Sequence, residues 1–172
     1  MSGRRILGID PGSVKTGYGV IEERAGKLAL IDAGTISTRA SDPLEARLVV
    51  IYRGLRSVIE EQLPASVAIE EIFMAKHANA ALKLGHARGV ALLAAAESEL
   101  SVTPYAPRLV KQAIVGKGSA DKEQVARIVG LILGLKALPG IDATDALAIA
   151  ITHAQALRMN QRVLVAGAKK AR

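Results

Sequence analysis

Arg4-Arg5-Ile6-Leu7-Gly8-Ile9-Asp10-Pro11-Gly12 decides how this chain begins to fold. Residues 6–9 form a short apolar run that reads as a buried strand, and Pro11-Gly12-Ser13 supplies the turn that ends it. The strand therefore delivers a carboxylate, Asp10, at its tip. Working outward, residues 17–22 and 28–37 read as two more strands around the turn Ala25-Gly26-Lys27, giving an antiparallel three-stranded meander. Residues 43–63 are helical, because Leu44, Leu48, Ile51, Leu55 and Ile59 recur at amphipathic spacing and Pro64 stops them. Strands over 67–74 and 102–105, and helices over 79–100, 108–115, 121–133 and from 142 to about 159, complete the order. A meander followed by alternating helices and strands predicts an α/β fold, a mixed five-stranded sheet flanked by helices.

At 172 residues the chain is long enough for one domain that buries its own core. Half of it is hydrophobic, which argues against disorder for the bulk of it. The absence of cysteine excludes disulfides, thiolate nucleophiles and zinc–thiolate sites. Arg4 and Arg5 lead into Asp10 with no apolar signal segment, and the longest apolar stretches fall far below the roughly 18 residues of a membrane span. A soluble, cytoplasmic protein is expected. Net charge +7 and a pI near 9.9 point to an acidic partner, and nucleic acid is the commonest one for a basic domain. The residues after 160 are basic and lack acids, so 161–172 is expected to be a flexible tail behind a domain of residues 1–160.

Against that positive background, four acids stand in or beside apolar segments. Asp10 ends the first strand, Glu70 lies within Val67-Ala68-Ile69-Glu70-Glu71-Ile72-Phe73, and Asp142 and Asp145 open a very apolar helix. Each has a plain structural role available: a turn residue, an outward strand residue, a helix cap with its partner three residues on. Gathered in one site, however, they would repel and raise each other's pKa unless a cation held them ionised. Hard oxygen donors without His–Cys clusters favour Mg2+ or Mn2+ over zinc. Two such ions about 3.5–4 Å apart can activate a water and stabilise the leaving oxygen of a phosphodiester. Spacing leaves Glu70 and Glu71 as alternatives, since strand neighbours face opposite ways.

The motifs in order are Ile9-Asp10-Pro11-Gly12, Thr16-Gly17-Tyr18-Gly19, Ala68-Ile69-Glu70, Phe73-Met74-Ala75-Lys76 and Ala80 with Leu82-Lys83-Leu84-Gly85. Ala87-Arg88-Gly89, Val110-Lys111-Gln112, Gly118-Ser119-Ala120 with Lys122, and Asp145-Ala146-Leu147-Ala148-Ile149-Ala150 follow. Together they resemble the RuvC family of bacterial Holliday-junction resolvases over nearly the whole chain. The resemblance implies an RNase H-like fold and a Mg2+-dependent endonuclease, with Mn2+ as a substitute and two ions per site, that makes paired nicks in opposing strands. It implies Asp10, Glu70, Asp142 and Asp145 as the catalytic, metal-binding set and selects Glu70 over Glu71; some members carry His at the position matching Asp142. It places Lys111 and Lys122 near the scissile phosphate and stacks Phe73 on an unpaired base. Lys76, Lys83 and Arg88, with His77 and His86, would contact DNA phosphates. Four-way junction DNA, a homodimer joined by helices, for which Gly85 and Gly89 offer a close approach, and the RuvA–RuvB branch-migration complex are the implied partners.

Rival classes fit less well. An actin-like or sugar-kinase ATPase shares a Gly-Ile-Asp-x-Gly loop but needs a second domain and a second phosphate loop, and Gly-Ser-Val-Lys-Thr carries Val14 where a Walker A needs Gly. A junction-binding module without catalysis would need the basic face but not four acids.

Overall fold

The computed structural model describes residues 3–72 and 78–170, and of 164–170 the backbone only. Its strands are β1 (Arg4–Asp10), β2 (Lys15–Arg24), β3 (Lys27–Ser37), β4 (Ser66–Glu70) and β5 (Val102–Tyr105). The helices are α1 (Leu44–Gln62), α2 (Ala78–Glu97), α3 (Pro107–Val115), α4 (Lys122–Leu133) and α5 (Ile141–Lys170). The sheet runs β3-β2-β1-β4-β5, with β1 antiparallel to β2 and parallel to β4. The expected meander is present, and the first and fourth strands pair in parallel.

Side chains alternate across a strand, and that alternation builds two cores. Leu7, Ile9, Val20, Val67 and Ile69 meet Ile51 and Leu55 of α1 and Ala87 and Ala91 of α2 on one face. Ile6, Ile21, Ala68 and Tyr105 meet α3, α4 and Leu147 and Ile151 of α5 on the other. Even-numbered positions of β1 and β4 therefore face α5, and Asp10 and Glu70 continue that pattern at the strand ends. Glu71 follows the strand and is exposed.

Three glycines let α5 lie almost on the sheet backbone. A Cβ at Gly8 would stand 2.1 Å from the carbonyl oxygen of Ala146, and one at Gly17 2.1 Å from that of Asp142; one at Gly19 would meet Leu147 at 2.7 Å. Gly17 is the register partner of Asp10. The first turn of α5 is thus seated directly beside that carboxylate.

Three boundaries differ from the sequence reading. β4 ends at Glu70, not near Met74, because its partners end there: Ile69 is the last residue paired with β1 and Glu70 the last paired with β5. Helix α5 continues past Met159 to Lys170, since Asn160-Gln161-Arg162-Val163-Leu164-Val165-Ala166 contains neither Pro nor Gly to stop it. Asp142 is not the cap of α5: the helix starts at Ile141, and Thr144 returns its amide and hydroxyl to the Gly140 carbonyl at 2.9 and 2.6 Å. Asp121 does cap α4, accepting from the Gln124 amide at 2.8 Å while the Gln124 side chain accepts from the Asp121 amide at 3.2 Å.

Gly8→Ala should force α5 off the sheet, because both clashing partners are backbone. Overpacking of this kind costs about 1–3 kcal/mol, and thermal denaturation should show a fall in Tm of roughly 3–10 °C.

Candidate active site

Asp10 leaves the end of β1, Glu70 the end of the parallel strand β4, and Asp145 the N-terminal part of α5. All three line one cavity of about 300 Å3, with Lys111 of α3, Lys122 of α4 and the apolar Val110, Val125 and Ile149. Asp142, half-buried in the first turn of α5, does not line it, although its charge still acts on Asp10.

The electrostatics follow from burial and repulsion. Asp10 is pushed from 3.8 to about 7, first by desolvation and then by the charges of Glu70 and Asp145, with Lys122 pulling it back. Glu70 is raised for the same reasons, burial first and Asp145 next, while Lys122, Asp10 as a hydrogen-bond partner and Lys111 counteract. Lys122 places Nζ 2.8 Å from Oδ2 of Asp145. That hydrogen bond raises the ammonium's pKa against an opposing desolvation effect.

Two lysines thus face three carboxylates, and only Lys122 is bonded to one of them. Their donors are all hard oxygens and their mutual repulsion is the kind a divalent cation relieves, so the set fits such an ion by chemistry. Among the described residues no three acidic or histidine side chains already stand close enough to form a ready cluster. The site is a convergent donor set, with one oxygen of Asp145 held by Lys122.

Several residues that the sequence reading passed over hold this set in place. Arg47, buried on α1, donates from Nη1 to the Ser13 carbonyl at 3.2 Å, and Thr38 bonds the same carbonyl at 3.0 Å. Thr16 donates to the Gly12 carbonyl at 2.8 Å. These bonds fix the turn that follows Asp10. Arg47 lies four residues before Ile51 on the buried stripe of α1, and a charge in such a stripe was the available signal. The buried His153 of α5 meets the Tyr105 hydroxyl at 2.9 Å and the Ser66 hydroxyl at 3.2 Å, joining α5 to β5 and β4.

The remaining expected contacts divide. Arg88 donates from Nε to the Glu70 carbonyl at 3.2 Å, so part of its guanidinium is engaged at the site's edge. Lys83 is exposed on α2, outside the cavity. Phe73, Lys76 and His77 lie outside the described residues.

A sheet of this order, with acids at the ends of two adjacent parallel strands and on the helix crossing them, fits the RNase H-like fold expected from the sequence. The family model "Crossover junction endodeoxyribonuclease RuvC" matches residues 6–153. The crossover junction endodeoxyribonuclease RuvC of Syntrophotalea carbinolica is 51% identical over 91% of this chain and 97% of its own. That of Actinobacillus succinogenes is 53% identical over 92% of this chain and 83% of its own. The structure of Thermus thermophilus RuvC in complex with Holliday junction substrate superposes with a TM-score of 0.86 at 40% identity, covering 91% of this chain and 96% of that one. The chain belongs to the RuvC family of crossover junction endodeoxyribonucleases. It is an endodeoxyribonuclease of that family.

The raised pKa of Asp10 carries a stability consequence for the metal-free protein. Between pH 3.8 and about 7 the unfolded chain ionises Asp10 while the folded protein keeps its proton, so stability is lost across that window as pH rises. Asp10→Asn removes this penalty. In chelator, its Tm advantage over wild type should be near zero at pH 3.5, grow through that window and level off above pH 7, as scanning calorimetry would show.

Proposed function

We propose that this endonuclease cuts with Asp10, Glu70 and Asp145 as its catalytic metal-binding carboxylates, with Asp142 as a fourth ligand or a flanking charge. The observation that carries the reading is the convergence of three acids and two lysines on one cavity at the ends of the central parallel strands. Mg2+ is the expected ion, two per site, with Mn2+ able to substitute. When bound, it supplies Lewis-acid activation of a water and stabilisation of the leaving oxygen. Asp10 must give up its proton to take part, and Lys122 must release Asp145. Lys122 is then free for a phosphate oxygen, where an ammonium neutralises charge developing in the transition state. Lys111, which also lines the cavity, holds the DNA backbone. Products would carry 5′-phosphate and 3′-hydroxyl ends, as the family resemblance implies.

Phe73 would stack on an unpaired base, because aromatic–base stacking tolerates any sequence. Lys76, Lys83 and Arg88 would contact phosphates along the approach to the site and along α2. Helix α2 also supports a homodimer. Its outer face exposes Leu82 and Leu93, and the space beside Gly85 and Gly89 is open, so another helix could approach closely. A two-fold dimer brings two sites to the two opposing strands of a four-way junction. The RuvA–RuvB complex is the expected partner. Among the described residues no helix is long and apolar enough to cross a membrane; a cytoplasmic location fits DNA as substrate.

A synthetic four-way junction in Mg2+, with linear duplex as control, tests this. Wild type should make paired nicks in the junction alone. Asp10→Asn, Glu70→Gln and Asp145→Asn should each lose at least about 10²-fold in cleavage rate while binding the junction within a few-fold of wild type. Equal loss of binding and cleavage would remove the metal-catalysis reading.

Junction affinity should also fall steeply with salt, because each neutralised phosphate releases counterions. A plot of log Kd against log salt from fluorescence anisotropy should be linear with a slope of several units. A flat response would remove the phosphate contacts.

A further inference from the structure

A second cavity, of about 380 Å3, lies against the first and shares Lys122 and Asp145 with it. Its character is different. Leu138, Ile141, Ala126 and Thr144 furnish its wall, and the Thr144 hydroxyl is already spent on the Gly140 carbonyl at 2.6 Å. Leu138 is 44% and Ile141 72% exposed, large aliphatic side chains left bare beside a catalytic pocket. The segment between them is shaped to present them: Pro139 has a fixed φ, and Gly140 sits at φ 108°, in the region that disfavours any side chain.

We propose that this shelf receives the base of a nucleotide adjoining the scissile phosphate on the strand being cut. The inference rests on the reading of the neighbouring cavity as the cleavage site. Three features support a base over other occupants. The shelf and that cavity share Lys122 and Asp145 in their linings, so a nucleotide whose phosphate meets the ammonium has its next group within reach of the apolar wall. Glu123 and Asp145 stand on the rim, which disfavours a second phosphate there and leaves an uncharged group as the better occupant. Exposed aliphatic side chains beside a nucleic-acid site are the kind that wedge against unstacked bases, and a base drawn out of its stack loses contacts that such a surface partly replaces. Ile141 and Leu138 are therefore positioning residues. They hold the nucleotide so that its phosphate stays between the carboxylates and Lys122.

The test combines a protein change with a substrate change. Single-turnover cleavage and junction affinity would be measured for wild type, Ile141→Ser and Leu138→Ser. Substrates would be junctions intact or made abasic at one nucleotide on either side of the cut. Ile141 is solvent-facing, so its serine variant should fold, and Ile141→Leu should restore the rate. The exposed Leu131→Ser on α4, away from the shelf, serves as the control. Ile141→Ser should slow cleavage about tenfold, the scale of one lost base contact, with affinity changed less than threefold. An abasic nucleotide at one position should slow wild type by a similar factor and add nothing to Ile141→Ser. Additive losses at every position, or no loss in Ile141→Ser, would overturn the shelf as a base site. A shift of Ile141→Ser toward monomer in sedimentation would overturn it in favour of a contact between copies of the chain. Should wild type fail to cut the intact junction, the cleavage reading itself falls, independently of the shelf.

Discussion

Helix α5 rests on glycine, and the site depends on that contact. At an ordinary helix-on-sheet spacing, side chains would separate Asp142 and Asp145 from the tip of β1. Gly8 and Gly17 remove those side chains where the backbone of α5 passes, and Gly19 makes room for Leu147. The stripe of the helix that lies over these glycines is apolar: Ala143, Ala146, Leu147, Ala150 and Ile151 are all fully buried. Burial of this stripe stabilises the domain, and the same contact draws carboxylates together that repel one another. Packing supplies the free energy that the electrostatics of the site consume.

The site's charge balance explains why the arrangement holds in free protein. Lys122 faces three acids and is bonded to one of them, and the carboxyl of Asp10, pushed up to about 7, holds a proton well above the usual carboxylate range. Proton and ammonium together take the place of a larger positive charge. On the proposed reading both would be exchanged, the proton for a bound cation and the contact of the largely exposed lysine for one with a phosphate. The frame around them is less free to move. Arg47, Thr38 and Thr16 pin the turn after Asp10, and Arg88 holds the Glu70 carbonyl. His153 joins α5 to both β4 and β5 through Ser66 and Tyr105, its own protonation disfavoured by burial and then by the charge of Arg4. A neutral imidazole at that point can accept one hydroxyl proton and donate to the other hydroxyl without bringing a further charge beneath the site.

What was legible in the sequence follows the range of each interaction. The strand ending at Asp10, the meander and the stripe of α1 come from local patterning, and each stands where expected within a few residues. Asp10, Glu70 and Asp145 were readable as acids out of place in apolar segments, and their convergence was not, because it needs the parallel pairing of β1 with β4. The choice between Glu70 and Glu71 rested on resemblance alone; the alternation of β4, with Ala68 facing α5, gives it a physical basis. The end of β4 was misplaced because an apolar run does not show where its partners stop. The length of α5 was underestimated because basic composition was weighed above the absence of Pro or Gly between residues 160 and 166. Arg47 and His153 were passed over because their partners, Ser13, Ser66 and Tyr105, are distant in sequence and carry no motif.

Asp142 shows how much position within one helix turn decides. Three residues before Asp145, it shares that residue's side of the helix, yet the cavity wall contains Asp145 and not Asp142. Its backbone is the part in closest contact with the sheet, through the carbonyl packed over Gly17. The residue is held by its main chain and reaches Asp10 only by its field, the weakest of the influences that raise that carboxyl. Asp145, one turn further along, lines the cavity and has Lys122 as its counterion. The two acids, equivalent in sequence pattern, are therefore unequal in the folded site, and the difference lies in where the helix begins.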